Sequence, residues 1–171
     1  MTNHAALAAP SQNPPTEHAA DAEAHSASVA ATARIRPAAV TTIAVLIGLT
    51  ITRFTVVFRL PSLEMFDGAS PDAWFAPWVS DTILGLLVPA VVFLVLRRTG
   101  TALWGALIAY NAVGAFDYVH GLATQWIHPL ENAAVTYGAI SFFLVAQLIA
   151  LGLLFRADVI DHFTRRPART S

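Results

Sequence analysis

Long apolar stretches separated by short polar ones make up most of the chain after residue 36. We predict four of them, at about 37–58, 79–96, 101–122 and 133–155. Each matches the roughly 20 residues that an α-helix needs to cross the hydrocarbon core of a bilayer. A helix of a soluble bundle would carry a polar outer face, and the stretches 83–96 and 140–155 have almost none. The pattern therefore predicts an all-α integral membrane protein with four transmembrane helices in an antiparallel up-down bundle.

Composition agrees with this pattern and excludes several classes of protein. The 171 residues are 56% hydrophobic and 12% charged, whereas a soluble domain carries about 25% charged residues. Residues 1–36 hold few large apolar side chains and no basic segment followed by an apolar one, so we expect a disordered tail rather than a secretory signal peptide. The absence of Cys excludes disulfides and thiolate metal sites. A net charge of −1 without a basic cluster in the folded region predicts no nucleic-acid partner.

The positions of the arginines predict the orientation, because short cytoplasmic loops hold the excess of basic residues. Eight arginines fall on one side of the four predicted spans: Arg34, Arg36, Arg97, Arg98, Arg156, Arg165, Arg166 and Arg169. The other two loops carry acidic residues instead: Glu64, Asp67, Asp72 and Glu131. We therefore expect a multi-pass protein of the bacterial inner membrane with both termini cytoplasmic. Its parts are a tail (1–36), a transmembrane domain (37–156) and a cytoplasmic C-terminal tail (157–171).

A few polar side chains interrupt the predicted spans on their external side. At 1.5 Å rise per residue, Arg53, Asp81, Asp117 and Tyr137 come out at similar depths on the four helices. A lone charge there would be costly, so we predict an Arg53–Asp117 ion pair, shared with Asp81. The pair either fixes helix register or lines an outward-facing pocket for a small ligand. Asn111 and His120 complete the candidate ligand-binding set.

The third span carries most of the remaining polar residues. Asn111, Gly114 and Asp117 recur at spacings of three, together with Tyr118 and Gly121, so they share one face that either packs or lines a cavity. Gln147 on the fourth span is a candidate for an interhelical hydrogen bond. Asp117 and His120 lie one turn apart, but two such ligands arise by chance and we predict no metal site and no cofactor.

Aromatic residues cluster in the predicted external loops. Ser70-Pro71-Asp72 predicts a helix start inside loop 60–78, and Ser80 or Asp81 is a candidate cap for the second span. The aromatic residues form either an interfacial belt at headgroup depth or a lid over an external site. They are Trp74, Phe75, Trp78 and Trp126.

Three functions are compatible with these features. The leading hypothesis is a non-enzymatic accessory subunit, or a binder of a small ligand in an external-side polar pocket between helices. The first alternative is a membrane-embedded enzyme that acts on a lipid or hydrophobic metabolite, with Asp117 and His120 as acid and base. The second is a subunit of a small transporter or channel that acts as an oligomer. Expected partners are the lipid bilayer and a membrane protein or a second copy of the chain.

Overall fold

A computed structural model describes residues 36–65, 71–130 and 132–164. Within these ranges the chain is helical and contains no β-strand. The α-helices, numbered in chain order, are α1 (Ala38–Leu49), α2 (Pro71–Arg97), α3 (Thr101–Ile127), α4 (Ala133–Leu153) and α5 (Ala157–Thr164). A 3₁₀ segment (Thr50–Met65) continues α1. Most of the predicted tail 1–36, and the arginines of 165–171, lie outside the described residues.

Three of the described helical stretches are long and apolar enough to span a membrane: Ala38–Arg59, Ala73–Arg97 and Ala133–Leu153. They correspond to the first, second and fourth predicted spans. The third predicted span is α3, whose 27 residues would reach about 40 Å, although its polar side chains make it less apolar than the others. Many large apolar side chains on these helices are exposed, as expected for contact with lipid.

The first predicted span is not a continuous α-helix. After Leu49 the chain tightens into the 3₁₀ segment, which is far longer than the three or four residues usual for this conformation. Threonine hydroxyls donate to carbonyl oxygens three residues earlier, from Thr50 to Ile47 at 2.7 Å and from Thr55 to Thr52 at 2.6 Å. Such local bonds compete with the regular α-helical pattern and accompany the change of pitch here.

The second predicted span begins eight residues earlier than expected. The helix start predicted from Ser70-Pro71-Asp72 is confirmed, because α2 begins at Pro71 and runs without interruption to Arg97. The prediction that Ser80 or Asp81 caps the span is wrong, since both lie inside this helix. The loop helix and the second span are one element, and this places Asp81 on the same helix as Trp74 and Trp78.

The remaining predicted bounds are closer. α3 extends five residues beyond the predicted end at 122, and α4 ends two residues before the predicted end at 155.

α1 contacts α2 and α4, α3 packs on both α2 and α4, and the 3₁₀ segment lies along α2. The chain therefore brings residues from the 3₁₀ segment, α2 and α3 together.

An apolar core fills one part of the structure, which we call the apolar end. It consists of buried residues from α1, α2, α3 and α5, and of Leu154, which follows α4: Ala39, Val40, Ile43, Ala44, Ile47, Val88, Val95, Leu107, Leu154, Val159 and Phe163. Val159 and Phe163 lie on α5, so this part of the predicted C-terminal tail packs against the core. Two hydrogen bonds tie helix termini together here, from Arg36 to the Leu96 carbonyl and from Trp104 Nε1 to the Leu154 carbonyl.

Candidate functional site

Arg53 lies at the centre of a buried ionic cluster with Asp81 and Asp117. Its Nε donates to Asp81 Oδ1 at 2.5 Å, and its Nη2 donates to Asp117 Oδ2. The three side chains come from the 3₁₀ segment, α2 and α3. Their exposed fractions are 3% for Arg53, 9% for Asp117 and 22% for Asp81. The predicted ion pair, including its extension to Asp81, is confirmed.

Asp117 receives a second hydrogen bond from α2. Ser80 Oγ lies within hydrogen-bond distance of Asp117 Oδ1, so both carboxylate oxygens are engaged. Ser80 also lies 3.0 Å from the Pro77 carbonyl oxygen. A charge buried at this depth is stabilised only when opposite charge and hydrogen bonds replace its hydration, and Asp117 has both.

The Arg53 guanidinium also packs over an aromatic ring. Its central carbon lies 4.0 Å from the centroid of the Tyr118 ring, within the range of a cation–π interaction. The ring of Phe143 on α4 stacks on Tyr118 with centroids 6.0 Å apart and an interplanar angle of 14°. Arg53 therefore contacts the ring of Tyr118 in addition to the two carboxylates.

Two glycines permit the close packing around the cluster. A Cβ on Gly85 of α2 would lie 2.5 Å from the backbone nitrogen of Phe54, so the 3₁₀ segment can approach α2 only at a glycine. A Cβ on Gly114 of α3 would lie 2.8 Å from Gln147 Nε2 and 3.3 Å from Arg53 Nη1. The absence of a side chain at Gly85 thus makes room for Phe54, the residue that follows Arg53. The absence of a side chain at Gly114 makes room for Arg53 Nη1.

A second polar group lies on α3 and α4 beside the ionic cluster. Gln147 Nε2 donates to Asn111 Oδ1 at 3.0 Å, and Asn111 Nδ2 donates to the Leu107 carbonyl at 2.7 Å. The predicted interhelical role of Gln147 is confirmed. Three buried polar atoms have no hydrogen-bond partner in the described part of the chain: Tyr118 Oη, Gln125 Nε2 and Gln147 Oε1. Such atoms usually bind ordered water or a ligand.

A groove of about 410 Å³ between α2 and α3 reaches Asp117; we call it the α2–α3 groove. Its walls are mainly apolar, and its polar side chains are Ser80, Asp117 and His120. The lining residues are Ala76, Ser80, Ile83, Leu84, Val113, Phe116, Asp117 and His120. An apolar groove lined in part by a buried carboxylate has the general character of a small-ligand site.

A second cavity of about 410 Å³ reaches Asp81 from the side of α4; we call it the Asp81 cavity. The 3₁₀ segment, the first turns of α2, and α4 with the residues before it form its walls. Its lining includes Thr55, Arg59, Trp74, Trp78, Asp81, Asn132 and Thr136. A smaller cavity of about 140 Å³ adjoins it, sharing Val56, Asp81, Ala139 and Ile140, and is also lined by Arg53 and Tyr118. Each carboxylate of the cluster is thus reached by a different cavity.

The other candidate ligand-binding residues fall at different distances from the cluster. Asn111 bonds to Gln147, which adjoins Gly114 beside Arg53. His120 is exposed and lines the α2–α3 groove together with Asp117. Tyr137 is half-buried on α4, and no hydrogen bond or ion pair between described residues joins it to the cluster. In place of Tyr137, α4 contributes Phe143 and Gln147 near Arg53.

The predicted aromatic belt divides into two groups. Trp74 and Trp78 are 3% and 4% exposed and pack inward, with ring centroids 6.1 Å apart. Trp74 Nε1 donates to the His128 carbonyl at 3.0 Å and so ties the start of α2 to the end of α3. Phe75 and Trp126 point outward and are 56% and 80% exposed. The burial of the first two follows from the early start of α2.

Sequence reasoning did not foresee the bond from Ser80 or the placement of Arg53 over Tyr118. The sequence predicts Ser80 as a helix cap and places Tyr118 on a face that either packs or lines a cavity. Their signal in the sequence is adjacency, since each stands next to a carboxylate of the cluster. In the described ranges, no group of three or more His, Asp or Glu side chains is arranged to hold a metal ion. No family model matches the chain, and no solved structure matches it.

Proposed function

We propose that this is a four-span membrane protein that binds a small amphipathic molecule without catalysing a reaction. The observation that carries the proposal is the α2–α3 groove, which is lined mainly by apolar side chains and also by a buried, ion-paired carboxylate. In this proposal the apolar body of the ligand lies over Ile83, Val113 and Phe116. Its polar head donates hydrogen bonds to Asp117 and His120.

The proposed topology adds α3 as a spanning helix to the three long apolar stretches and has both termini in the cytoplasm. Contacts between helix termini support an antiparallel arrangement. Arg36, before α1, bonds to the end of α2, and Trp104, at the start of α3, bonds to the end of α4. At the opposite end, Trp74 bonds to the residue after α3. The polar face of α3 is buried against the other helices, and this makes its lower hydropathy compatible with a spanning helix.

Cysteine labelling tests this topology cleanly because the natural chain contains no Cys. Thr101→Cys and Ala134→Cys place single thiols at exposed positions at the starts of α3 and α4. We expect a membrane-impermeant maleimide to label A134C in intact cells and T101C only after permeabilisation. Labelling of both variants from outside would contradict a four-span protein with cytoplasmic termini.

Geometry favours binding over acid–base catalysis at Asp117. A general base must be free to accept a proton from its substrate, whereas both Asp117 oxygens already accept hydrogen bonds and one is paired with Arg53. His120 is exposed and sits on the same groove. Such a carboxylate is better suited to orient a polar head than to remove a proton from it.

Filling the groove tests the binding proposal. Val113 and Val119 are 55% and 51% exposed on α3, and of the two only Val113 lines the groove. We expect Val113→Trp to lose the small molecule that co-purifies with the wild type, and the matched control Val119→Trp to retain it. The readout is mass spectrometry of solvent extracts from equal amounts of purified protein. Equal amounts in both variants, or no molecule near one equivalent in the wild type, would refute the proposal.

A further inference from the structure

We infer that the Asp81 cavity is a second binding site, and that it takes an organic monocation of the quaternary-ammonium type. The cavity is distinct from the α2–α3 groove, and the inference does not depend on the function proposed for that groove. It rests on the charge balance of the ionic cluster, the accessibility of Asp81 and the aromatic side chains around it.

The ionic cluster carries an excess of negative charge. Arg53 supplies one positive charge, while Asp81 and Asp117 supply two negative charges when both are ionised. An uncompensated charge is expensive in a buried, membrane-embedded setting. Asp117 receives hydrogen bonds from Arg53 and Ser80, whereas Asp81 receives a hydrogen bond from Arg53 at one oxygen, Oδ1. Among the described residues, Asp81 is therefore the carboxylate of the cluster with fewer hydrogen-bond donors.

Asp81 is also the accessible member of the cluster. Its side chain keeps 22% of its exposure, compared with 9% for Asp117 and 3% for Arg53. It lines both the Asp81 cavity and the smaller one beside it. A cationic group that enters from the side of α4 can therefore reach the carboxylate without displacing Arg53 from Asp117.

Aromatic rings flank this carboxylate. Trp74, Trp78 and Asp81 recur at spacings of four and three, so they share one face of α2, and all three line the Asp81 cavity. The hydrogen bond from Trp74 to the His128 carbonyl fixes its ring in place. Tryptophan rings beside a carboxylate are a common arrangement for binding quaternary ammonium groups.

The neighbouring hydroxyl and amide groups indicate which substituents of the cation the cavity can accommodate. Thr55, Asn132 and Thr136 also line the cavity and suit a polar substituent on the ligand. Arg59 lies at the exposed edge on the 3₁₀ segment, two turns beyond Arg53. We therefore expect a ligand with one positive charge next to Asp81 and an uncharged polar group beside these hydroxyl and amide groups.

Choline and its uncharged carbon analogue 3,3-dimethylbutan-1-ol test the inference on the wild-type protein. The two probes have nearly the same shape and differ in charge. We expect choline to bind the full chain in lipid nanodiscs at least about tenfold more tightly than the analogue, measured by saturation-transfer NMR titration. Equal affinities for the two probes would overturn the inference. The absence of choline binding would also overturn it, because a proton and not an organic cation would then compensate the excess charge.

Two variants locate the site. Asp81→Asn is expected to weaken choline binding about tenfold or more, whereas Asp158→Asn, which alters an exposed carboxylate on α5, leaves it unchanged. Wild-type affinity in D81N, or loss of binding in D158N, would contradict a cation site at Asp81. The comparison of the two probes stands even if D81N does not fold, because it uses the natural chain.

Discussion

The apolar end and the ionic cluster share α2 and α3 but are stabilised by different forces. At the apolar end, Ile43, Ile47 and Leu154 are fully buried among other apolar side chains. At the ionic cluster, one arginine joins the 3₁₀ segment, α2 and α3 through directional bonds. Apolar contacts tolerate small rotations of a helix, whereas paired charges do not. The ionic cluster therefore specifies how the helices are aligned, and the apolar end supplies packing around that alignment.

Removing Arg53 is expected to have the largest effect on stability. Arg53→Ala leaves two buried carboxylates without their cation, and breaking a buried pair in this way costs about 3–5 kcal/mol. Equilibrium unfolding in mixed micelles of mild detergent and SDS measures the loss. Arg53→Lys should restore only part of it, because one ammonium group lacks the planar fork that serves both carboxylates.

A double-mutant cycle gives the contrary outcome for this prediction. Arg53→Ala and Asp117→Ala should show a coupling energy between about 0.5 and 3 kcal/mol, as residues of one charge network do. Strictly additive effects would mean that the pair contributes nothing to the free energy of unfolding. The contrast between the apolar end and the ionic cluster would then disappear.

The second prediction concerns the apolar end. Ile43→Ala removes a fully buried side chain and should cost about 2–4 kcal/mol in the same unfolding assay. Val45→Ala, at a position that is 56% exposed, should change stability by less than about 0.5 kcal/mol. Because Ile43 lies about three helical turns before Arg53, I43A and R53A should add to within about 0.5 kcal/mol. Strong coupling between I43A and R53A would show that the apolar end and the ionic cluster form one network.

The third prediction concerns the approach of the 3₁₀ segment to α2. Gly85→Ala forces a Cβ against the backbone of Phe54 and should cost about 1–3 kcal/mol. Gly48→Ala is the matched control, since a Cβ there meets nothing within 4 Å and alanine favours the helix. If G85A proves as stable as G48A, close backbone packing is not what positions Arg53.

The smallest expected effect is a pH dependence at the apolar end. Burial and the nearby charge of Arg36 lower the pKa of His162 on α5 below its ordinary range. The folded protein then takes up this proton less readily than the unfolded chain does. The contribution of neutral His162 to stability is complete above about pH 6.5 and declines as the pH falls below that value.

Thermal unfolding between pH 8 and pH 5.5 measures this dependence. His162→Gln should reduce the loss of melting temperature on acidification, whereas His120→Gln, at an exposed position on α3, should leave it intact. Identical slopes in the wild type and H162Q would rule out a role for His162 in the pH response.

The ionic cluster could be predicted from the sequence because its members are conspicuous. Arg53, Asp81 and Asp117 are ionisable residues within otherwise apolar stretches, and a lone charge there is costly enough to require a partner. Tyr137 stays a prediction for the candidate site, because rise per residue gives the height of a side chain along a helix but not the direction in which it points. From α4, Gln147 lies near Gly114 and Arg53, ten residues further along the chain.

Other features could not be predicted because they depend on tertiary contacts. The change from α1 to the 3₁₀ segment accompanies close packing on Gly85, which no local pattern reveals. The burial of Val159 and Phe163 depends on contacts between α5 and residues far away in the sequence at the apolar end. Ser80 has the composition of a cap residue, and its bond to Asp117 exists only because α2 begins earlier than its hydropathy indicates.

The 3₁₀ segment sets a period of three along the residues that follow α1. Side chains three apart are eclipsed in this conformation, so Thr50, Arg53, Val56 and Arg59 form one straight row. In an α-helix, six residues would turn Arg59 about 120° away from Arg53. In this row, Arg53 lies in the interior and Arg59 lies at the edge of the Asp81 cavity. Inserting a single residue between them would turn Arg59 away from the cavity, whereas inserting three would preserve its direction and only lengthen the row.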